Sequence, residues 1–142
     1  METSNLIKKM KIQELISLIN TLPISKDEFY VVSSGALVLR GILPEASDLD
    51  IAVSSKGLEQ LKKYFYLKKK NDDGWFTVNK NVECVCNGPK ENWANKPELC
   101  NDVYVQDIEE YYEYLKTSER EKDKKRIPLV EQYIKNHNMN KG

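Results

Sequence analysis

The stretch SDLDIAV, residues 47–53, restricts the fold more than any other part of this sequence, because acidic and apolar residues alternate along it. Side chains of a β-strand point alternately to its two faces, so we predict a strand over residues 48–53 with Asp48 and Asp50 on one face and apolar residues on the other. Two carboxylates on one face repel each other unless a positive charge lies between them. Because its side chains must be buried, the apolar face is expected to pack on helices, which leaves the carboxylates on an open face of the sheet.

Periodicity and turn residues predict the rest of the chain as an α+β protein with a mixed, mainly short-stranded sheet. Strands are expected at residues 29–32, 48–53 and 103–105, with a hairpin formed by residues 75–78 and 82–86. Helices are expected at residues 4–22 with Ser4 as N-cap, at 36–42 after a turn at 33–35, from Ser54 or Ser55, and from Asp107. Residues 87–102 are expected to form a loop.

A length of 142 residues fits a single domain, with a core of residues 24–105 and C-terminal helices over residues 106–136. Within the helical part, Ser118 and Glu121 have the spacing of a capping box, which predicts the start of a last helix. Pro128 is expected to kink or restart that helix, because proline removes a backbone donor and clashes with the preceding turn.

Composition excludes several classes of protein. Lys plus Arg and Asp plus Glu both number 22, so no general basic field of the nucleic-acid-binding kind is present. No apolar run approaches the ~18 residues of a membrane span and no signal peptide is evident, so we expect a cytoplasmic protein with no membrane partner. The three cysteines indicate reduced, buried thiols, which we favour over a zinc site that would combine Cys84, Cys86, Cys100 and His137.

A third carboxylate is predicted to join the two aspartates. In the hairpin strand, alternation places Val82, Cys84 and Cys86 on the buried face and Glu83 opposite them. Asp48, Asp50 and Glu83 would then line one open surface, and clustered carboxylate oxygens suit Mg²⁺. The simpler interpretations stay open: Asp-x-Asp is common at exposed strand edges, and Glu83 is also explained as a solvated strand residue.

Small residues precede the acidic strand. Ser33, Ser34 and Gly35 allow close approach of the backbone to a ligand, and N–H groups at the start of the following helix attract anions. We therefore predict that this turn holds the phosphates of a nucleotide, with a bound metal ion between the turn and the acidic strand.

Two segments together resemble the signature of the polymerase-β-type nucleotidyltransferase superfamily. These are VVSSGALVLRGI, residues 31–42, and SDLDIAV, residues 47–53, which are similar to a Gly-Gly or Gly-Ser turn, a short helix and an acidic-hydrophobic-acidic strand. The head domains of CCA-adding enzymes share these elements. The resemblance covers residues 29–86 and extends to Arg120, Lys122 and Asp123, which resemble an Arg-x-Lys-Asp element of small stand-alone members.

The resemblance implies a fold, a chemistry and a set of site residues. It implies that Asp48, Asp50 and Glu83 bind two Mg²⁺ ions, and that Ser33, Ser34 and Gly35 bind a nucleoside triphosphate such as ATP. The implied reaction transfers a nucleoside monophosphate to an acceptor hydroxyl of a small molecule, a protein or an RNA 3′ end.

This chain departs from the family pattern at several positions. Ser33 stands in place of the first glycine and Glu83 in place of the commoner aspartate, while Leu37 and Val38 replace an Arg-Asp pair of the CCA-adding enzymes.

Two other interpretations remain. The chain is alternatively an inactive member of the fold that binds a nucleotide or a partner, as in one half of a toxin–antitoxin pair, or a metal-free domain whose acidic face is merely solvated. The basic groups at residues 68–70 and 124–126 are expected to face solvent rather than a polyanionic acceptor, and Trp75 and Trp93 are expected to pack within the protein rather than stack on a base.

Overall fold

A computed structural model describes residues 9–141, and within this range the chain forms five α-helices and seven β-strands. The helices are α1 (Ile12–Asn20), α2 (Ser33–Leu39), α3 (Ser55–Lys62), α4 (Ile108–Thr117) and α5 (Glu121–Lys141). The strands are β1 (Phe29–Val32), β2 (Leu49–Val53), β3 (Lys68–Lys69), β4 (Trp75–Asn79), β5 (Val82–Cys86), β6 (Glu98–Cys100) and β7 (Val103–Val105). None of the helices in this range is long and apolar enough to cross a membrane.

The described strands join in one mixed sheet in the order β3-β4-β5-β2-β1-β7-β6. Strand β2 is central, antiparallel to β1 on one side and parallel to β5 on the other, and β1 is parallel to β7. The register aligns Asp50 with Val32 on β1 and with Glu83 on β5. The α+β class with a mixed sheet, predicted from the sequence, is therefore confirmed.

The apolar face of the sheet is covered by helices. Leu49, Ile51 and Val53 of β2 are fully buried, in one core with Leu15 of α1 and Leu61 of α3. Burying a side chain of this size contributes about 1.5–3 kcal/mol, which explains why the register of β2 is fixed: a slip of one residue would turn its carboxylates into this core.

The C-terminal helices form a second cluster. Leu37 of α2 packs with Tyr111 and Leu115 of α4 and with Val130 of α5, all of them buried. Arg40 adds a polar contact, because its guanidinium donates to the hydroxyl of Tyr133 on α5 at 3.1 Å. These contacts hold the start of α4 and α5 beside the open face of the sheet.

Most of the predicted elements are confirmed. The strands predicted at residues 29–32, 48–53, 75–78, 82–86 and 103–105 agree with the structure to within one residue. Ser54 and Asp107 are N-caps, because their side chains accept hydrogen bonds from the backbone N–H groups of Gly57 at 2.9 Å and Glu110 at 3.0 Å.

The short helix predicted at residues 36–42 is present but lies earlier, since α2 spans Ser33–Leu39, and the turn predicted at residues 33–35 is wrong because the helix begins directly at Ser33. Ser33 has a φ of 58°, in the left-handed region, and this allows strand β1 to turn into the helix without a separate turn. Gly41, with a φ of 81°, ends the helix: its N–H and that of Ile42 donate to the last carbonyls of α2, as in a Schellman motif.

The C-terminal prediction is also corrected. Helix α5 does not restart at Pro128 but continues through it. The fully buried Val130 lies just beyond the proline, and its packing favours one continuous helix. The helix begins at Glu121, and Ser118 does not form the predicted capping box; its hydroxyl donates to Asp123 at 2.7 Å.

Two further predictions, for the loop at residues 87–102 and for the first helix, differ from the structure. The loop predicted at residues 87–102 contains β6, which forms because it pairs with β7 at the sheet edge. Of the helix predicted at 4–22, residues 4–8 lie outside the described residues; the observed α1 begins at Ile12, and Met10 forms a bridge with Ala46.

Candidate functional site

A cavity of about 630 Å³ lies on the open face of the sheet. Its floor comes from β1, β2, β4 and β5, and one wall comes from α4 and the start of α5. The carboxylates of Asp48, Asp50 and Glu83 line it together with the cationic side chains of Lys70, Arg120 and Lys122.

The two neighbouring parallel strands bring the predicted carboxylates together. Asp50 and Glu83 are register partners on β2 and β5, and Asp48 precedes β2 on the same face. Asp48 is exposed, whereas Asp50 is partly buried, and its Oδ1 atom is buried without a hydrogen-bond partner among the described residues. A buried carboxylate oxygen without a partner is costly, so this atom is available for a ligand.

The environment of Asp50 opposes its ionisation. Burial, followed by the negative charges of Glu83 and Asp48, raises the pKa of Asp50 from 3.8 to about 6, although Lys70 and Lys122 act in the opposite direction. The repulsion expected from the sequence is therefore present, and it is only partly relieved by the cations in the cavity.

Among these cations, Lys70 forms an ion pair with one of the predicted carboxylates, Glu83. Its ammonium lies 2.8 Å from Oε1 of Glu83, and this hydrogen bond is the largest cause of the raised pKa of Lys70. Lys70 was not predicted as a site residue, because a run of three lysines is typical of a solvated surface. Lys70 directly follows β3, whose pairing with β4 beside β5 brings the lysine to Glu83.

At one end of the site, cationic side chains and carboxylates lie together. A smaller adjoining cavity of about 250 Å³ shares Asp48 and Asp50 with the first. Its lining includes Ser33, Ser34, Lys9, Arg120, Lys122 and Arg126. The interpretation of the 124–126 group as wholly solvent-facing therefore does not hold for Arg126, whose guanidinium also donates to the Tyr111 hydroxyl at 2.9 Å.

Asp123 fixes the start of α5 at this smaller cavity. It is 2% exposed, and it accepts hydrogen bonds from the hydroxyls of Ser118 at 2.7 Å and Tyr114 at 3.1 Å. The guanidinium of Arg120 lies 3.7 Å from the same carboxylate oxygen. Asp123 thus orients the helix start from which Arg120 and Lys122 reach the cavity.

Of the small residues at the start of α2, two line a cavity and one is buried. Ser33 and Ser34 line the smaller cavity, whereas Gly35 is buried and is not among the residues that line either cavity. A Cβ atom at Gly35 would lie 3.0 Å from Cγ1 of Val31, so the glycine allows α2 to pack closely on β1.

Cys84 and Trp93 pack within the protein, whereas Trp75 lies at the cavity that the carboxylates line. Cys84 is buried in the helix-covered core, where burial raises the pKa of its thiol to about 11, so it is a protonated structural side chain. Trp93 packs edge-on against Tyr30 with ring centroids 4.8 Å apart. Trp75 borders the larger cavity next to Val85.

Among residues 9–141, no group of three or more His, Cys, Asp or Glu side chains is arranged to hold a metal ion. Glu83 bonds Lys70 in this arrangement. A metal ion shared by the three carboxylates would therefore require Glu83 to exchange that bond. Comparison with protein-family models, with curated proteins and with solved structures gave no match for this chain.

The charge balance at Asp50 gives a testable prediction for stability. Because the pKa of Asp50 is about 6 in the folded protein and near 3.8 in the unfolded chain, the folded state binds more protons between these values. Metal-free protein is therefore expected to lose stability as pH rises from about 4 to above 6. In Asp50→Asn this loss disappears, so the variant should gain about 2 kcal/mol over wild type at pH 7 and almost nothing at pH 4.

Urea denaturation in EDTA at several pH values measures this difference. Asp72→Asn is the matched control, since Asp72 is exposed on the turn and outside the cavity lining. A difference in the free energy of unfolding between Asp50→Asn and wild type that is constant with pH would contradict the raised pKa of Asp50.

Proposed function

We propose that this protein is a Mg²⁺-dependent nucleotidyltransferase that transfers a nucleoside monophosphate from a nucleoside triphosphate to an acceptor hydroxyl. The observation that carries the proposal is the pairing of Asp50 with Glu83 across β2 and β5, beside Asp48, in a cavity that is also lined by cationic side chains. Carboxylates next to cations suit a ligand that combines a metal ion with phosphates.

The carboxylates fit Mg²⁺ as a bound group. Mg²⁺ prefers oxygen ligands and keeps several waters, so one or two carboxylates are sufficient for it. The unpartnered Oδ1 of Asp50 and the exposed carboxylate of Asp48 are such ligands. When bound, Mg²⁺ would neutralise charge on the phosphates and polarise the phosphorus that is attacked.

The other residues have separate roles in the proposal. Arg120 and Lys122 would hold the triphosphate, and the hydroxyls of Ser33 and Ser34 would donate to its oxygens. Glu83 would accept the proton of the acceptor hydroxyl, once it is free of Lys70. Gly35 is assigned here to helix packing, which keeps the two serines at the cavity.

The resemblance to polymerase-β-type enzymes supports the same proposal. Ser33 occupies the position of the family's first glycine, and its φ of 58° is a backbone conformation that glycine adopts at the least cost. The Arg120–Asp123 contact lies in the segment that resembles the Arg-x-Lys-Asp element of small stand-alone members.

One observation favours the runner-up, a catalytically inactive member that binds a nucleotide or a partner protein, such as an antitoxin or toxin. The third carboxylate already has a cation, because Lys70 holds Glu83 at 2.8 Å. If that ion pair persisted in the nucleotide complex, Glu83 would serve neither as a metal ligand nor as a base.

The test of the proposal has two stages. Calorimetric titration of the full chain with each nucleoside triphosphate, with Mg²⁺ and with EDTA, is expected to give binding only with Mg²⁺. Pyrophosphate release with a panel of hydroxyl acceptors then separates a transferase from an inactive binding module. Absence of nucleotide binding under both conditions would leave only the solvated structural domain.

A further inference from the structure

Lys70 is the one cationic side chain of the described cavity lining that forms a hydrogen-bonded ion pair with a predicted metal ligand. Its backbone is fixed, since its N–H donates to the carbonyl of Trp75 at 2.9 Å and closes the turn over residues 71–74. Its side chain, in contrast, is 46% exposed, so the ammonium has room to move within the cavity. A fixed backbone with a long, partly free side chain suits a charge that changes partners.

The electrostatics explain why an ammonium lies there. Asp48, Asp50 and Glu83 place three carboxylates on one surface, and Lys70 interacts favourably with all of them. The ion pair does not fully compensate the repulsion among the carboxylates, because Oδ1 of Asp50 remains buried without a hydrogen-bond partner among the described residues. A divalent cation would relieve the repulsion more fully than one ammonium, but it would also repel Lys70 from its present position.

We propose that Lys70 is an exchangeable counter-ion of this site. It holds Glu83 when no divalent metal is bound, and it transfers to a phosphate of the nucleotide when a metal ion joins the carboxylates. The inference rests on the proposed function, and it assigns Lys70 a role in coupling the binding of metal to the binding of nucleotide.

The exchange explains how the same cavity accommodates the carboxylates alone and, in the other state, a metal ion with a nucleotide. Without ligands, the ammonium of Lys70 lowers the net negative charge of the carboxylates. With a nucleotide present, the same ammonium adds to the cations of Arg120 and Lys122, which line the same cavity. An ammonium forms charge-assisted hydrogen bonds with phosphate as well as with carboxylate, so Lys70 keeps a partner in both states.

The exchange predicts effects of opposite sign in Lys70→Gln. Mn²⁺ alone, as the probe for the metal site, should bind about tenfold more tightly than to wild type, because the competing ion pair and a nearby positive charge are both removed. At saturating Mg²⁺, α,β-methylene-ATP should bind about tenfold more weakly, because one phosphate contact is lost. Calorimetry of the full-length protein measures both affinities.

Two variants serve as controls. Lys69→Gln removes a charge from the adjacent position, where the lysine pairs with Asp72 at 3.2 Å and aligns with Phe76 on the strand beside it. Both of its affinities should stay within about twofold of wild type, since surface ion pairs contribute little. Lys70→Arg keeps the charge and should keep Mn²⁺ affinity below that of Lys70→Gln.

The outcomes distinguish this inference from the proposed function. Equal Mn²⁺ affinities of wild type and Lys70→Gln would overturn the role of Lys70 while leaving the metal site in place. Tighter Mn²⁺ binding with unchanged nucleotide affinity would overturn the transfer to phosphate. If neither protein binds Mn²⁺, both the inference and the metal-dependent function are wrong. A purely structural Lys70 would give a lower melting temperature without any gain in Mn²⁺ affinity.

Discussion

Asp50→Asn is expected to lower the rate of nucleotidyl transfer by about 10³-fold or more, because loss of residues that merely orient metal ligands already costs 10–100-fold. Of the two aspartates, Asp50 is better supported as a metal ligand. It is partly buried on a central strand, it has an unpartnered Oδ1 atom, and Glu83 is its register partner. Asp48→Asn should also abolish most transfer, although Asp48 is exposed and its loss is easier for water to replace.

The melting temperature separates this effect from unfolding. Asp50→Asn removes one of several repelling carboxylates, so the metal-free variant should melt at a higher temperature than wild type at pH 7. Mn²⁺ affinity should fall in parallel with activity, whereas Asp72→Asn should change neither. Transfer at the wild-type rate by Asp50→Asn would remove this residue from the metal site and leave the acidic face without a catalytic role.

The alternation of apolar and acidic residues was sufficient to predict the carboxylate surface. Leu49 and Ile51 have only one favourable environment, the helix-covered core, and their burial fixes Asp50 on the other face. The same argument placed Glu83 opposite Cys84. Parity along a strand is local information, so it can be read from one segment without knowledge of its neighbours.

The cations of the site were not predictable in the same way. Lys70 lies in a lysine run, and Arg126 lies in a charge cluster, and both patterns are typical of solvated surfaces. Their positions at the cavity depend on which strand pairs with β4 and on how α4 and α5 pack on Leu37. Such long-range packing also decides why α5 continues through Pro128, where the local preference favours a break.

Glu83 carries the second large expected effect. Glu83→Gln preserves the shape of the side chain but removes both a metal ligand and the base that would accept the acceptor's proton, so transfer should fall by about 10²-fold or more. The register of β5 supports this role, since Glu83 lies directly beside Asp50 and lines the same cavity rather than the helix layer.

The nucleotide affinity of Glu83→Gln distinguishes loss of catalysis from loss of the site. Arg120 and Lys122 are unchanged, and Lys70 is released from its carboxylate, so binding of α,β-methylene-ATP with Mg²⁺ should weaken much less than transfer, by about threefold at most. Glu59→Gln, an exposed change on α3, is the matched control and should leave both quantities unchanged. Turnover of Glu83→Gln at the wild-type rate would reduce the site to two aspartates. Because the third carboxylate would then be dispensable, Lys70 would hold Glu83 for structural reasons, and the inactive binding module would become the better description.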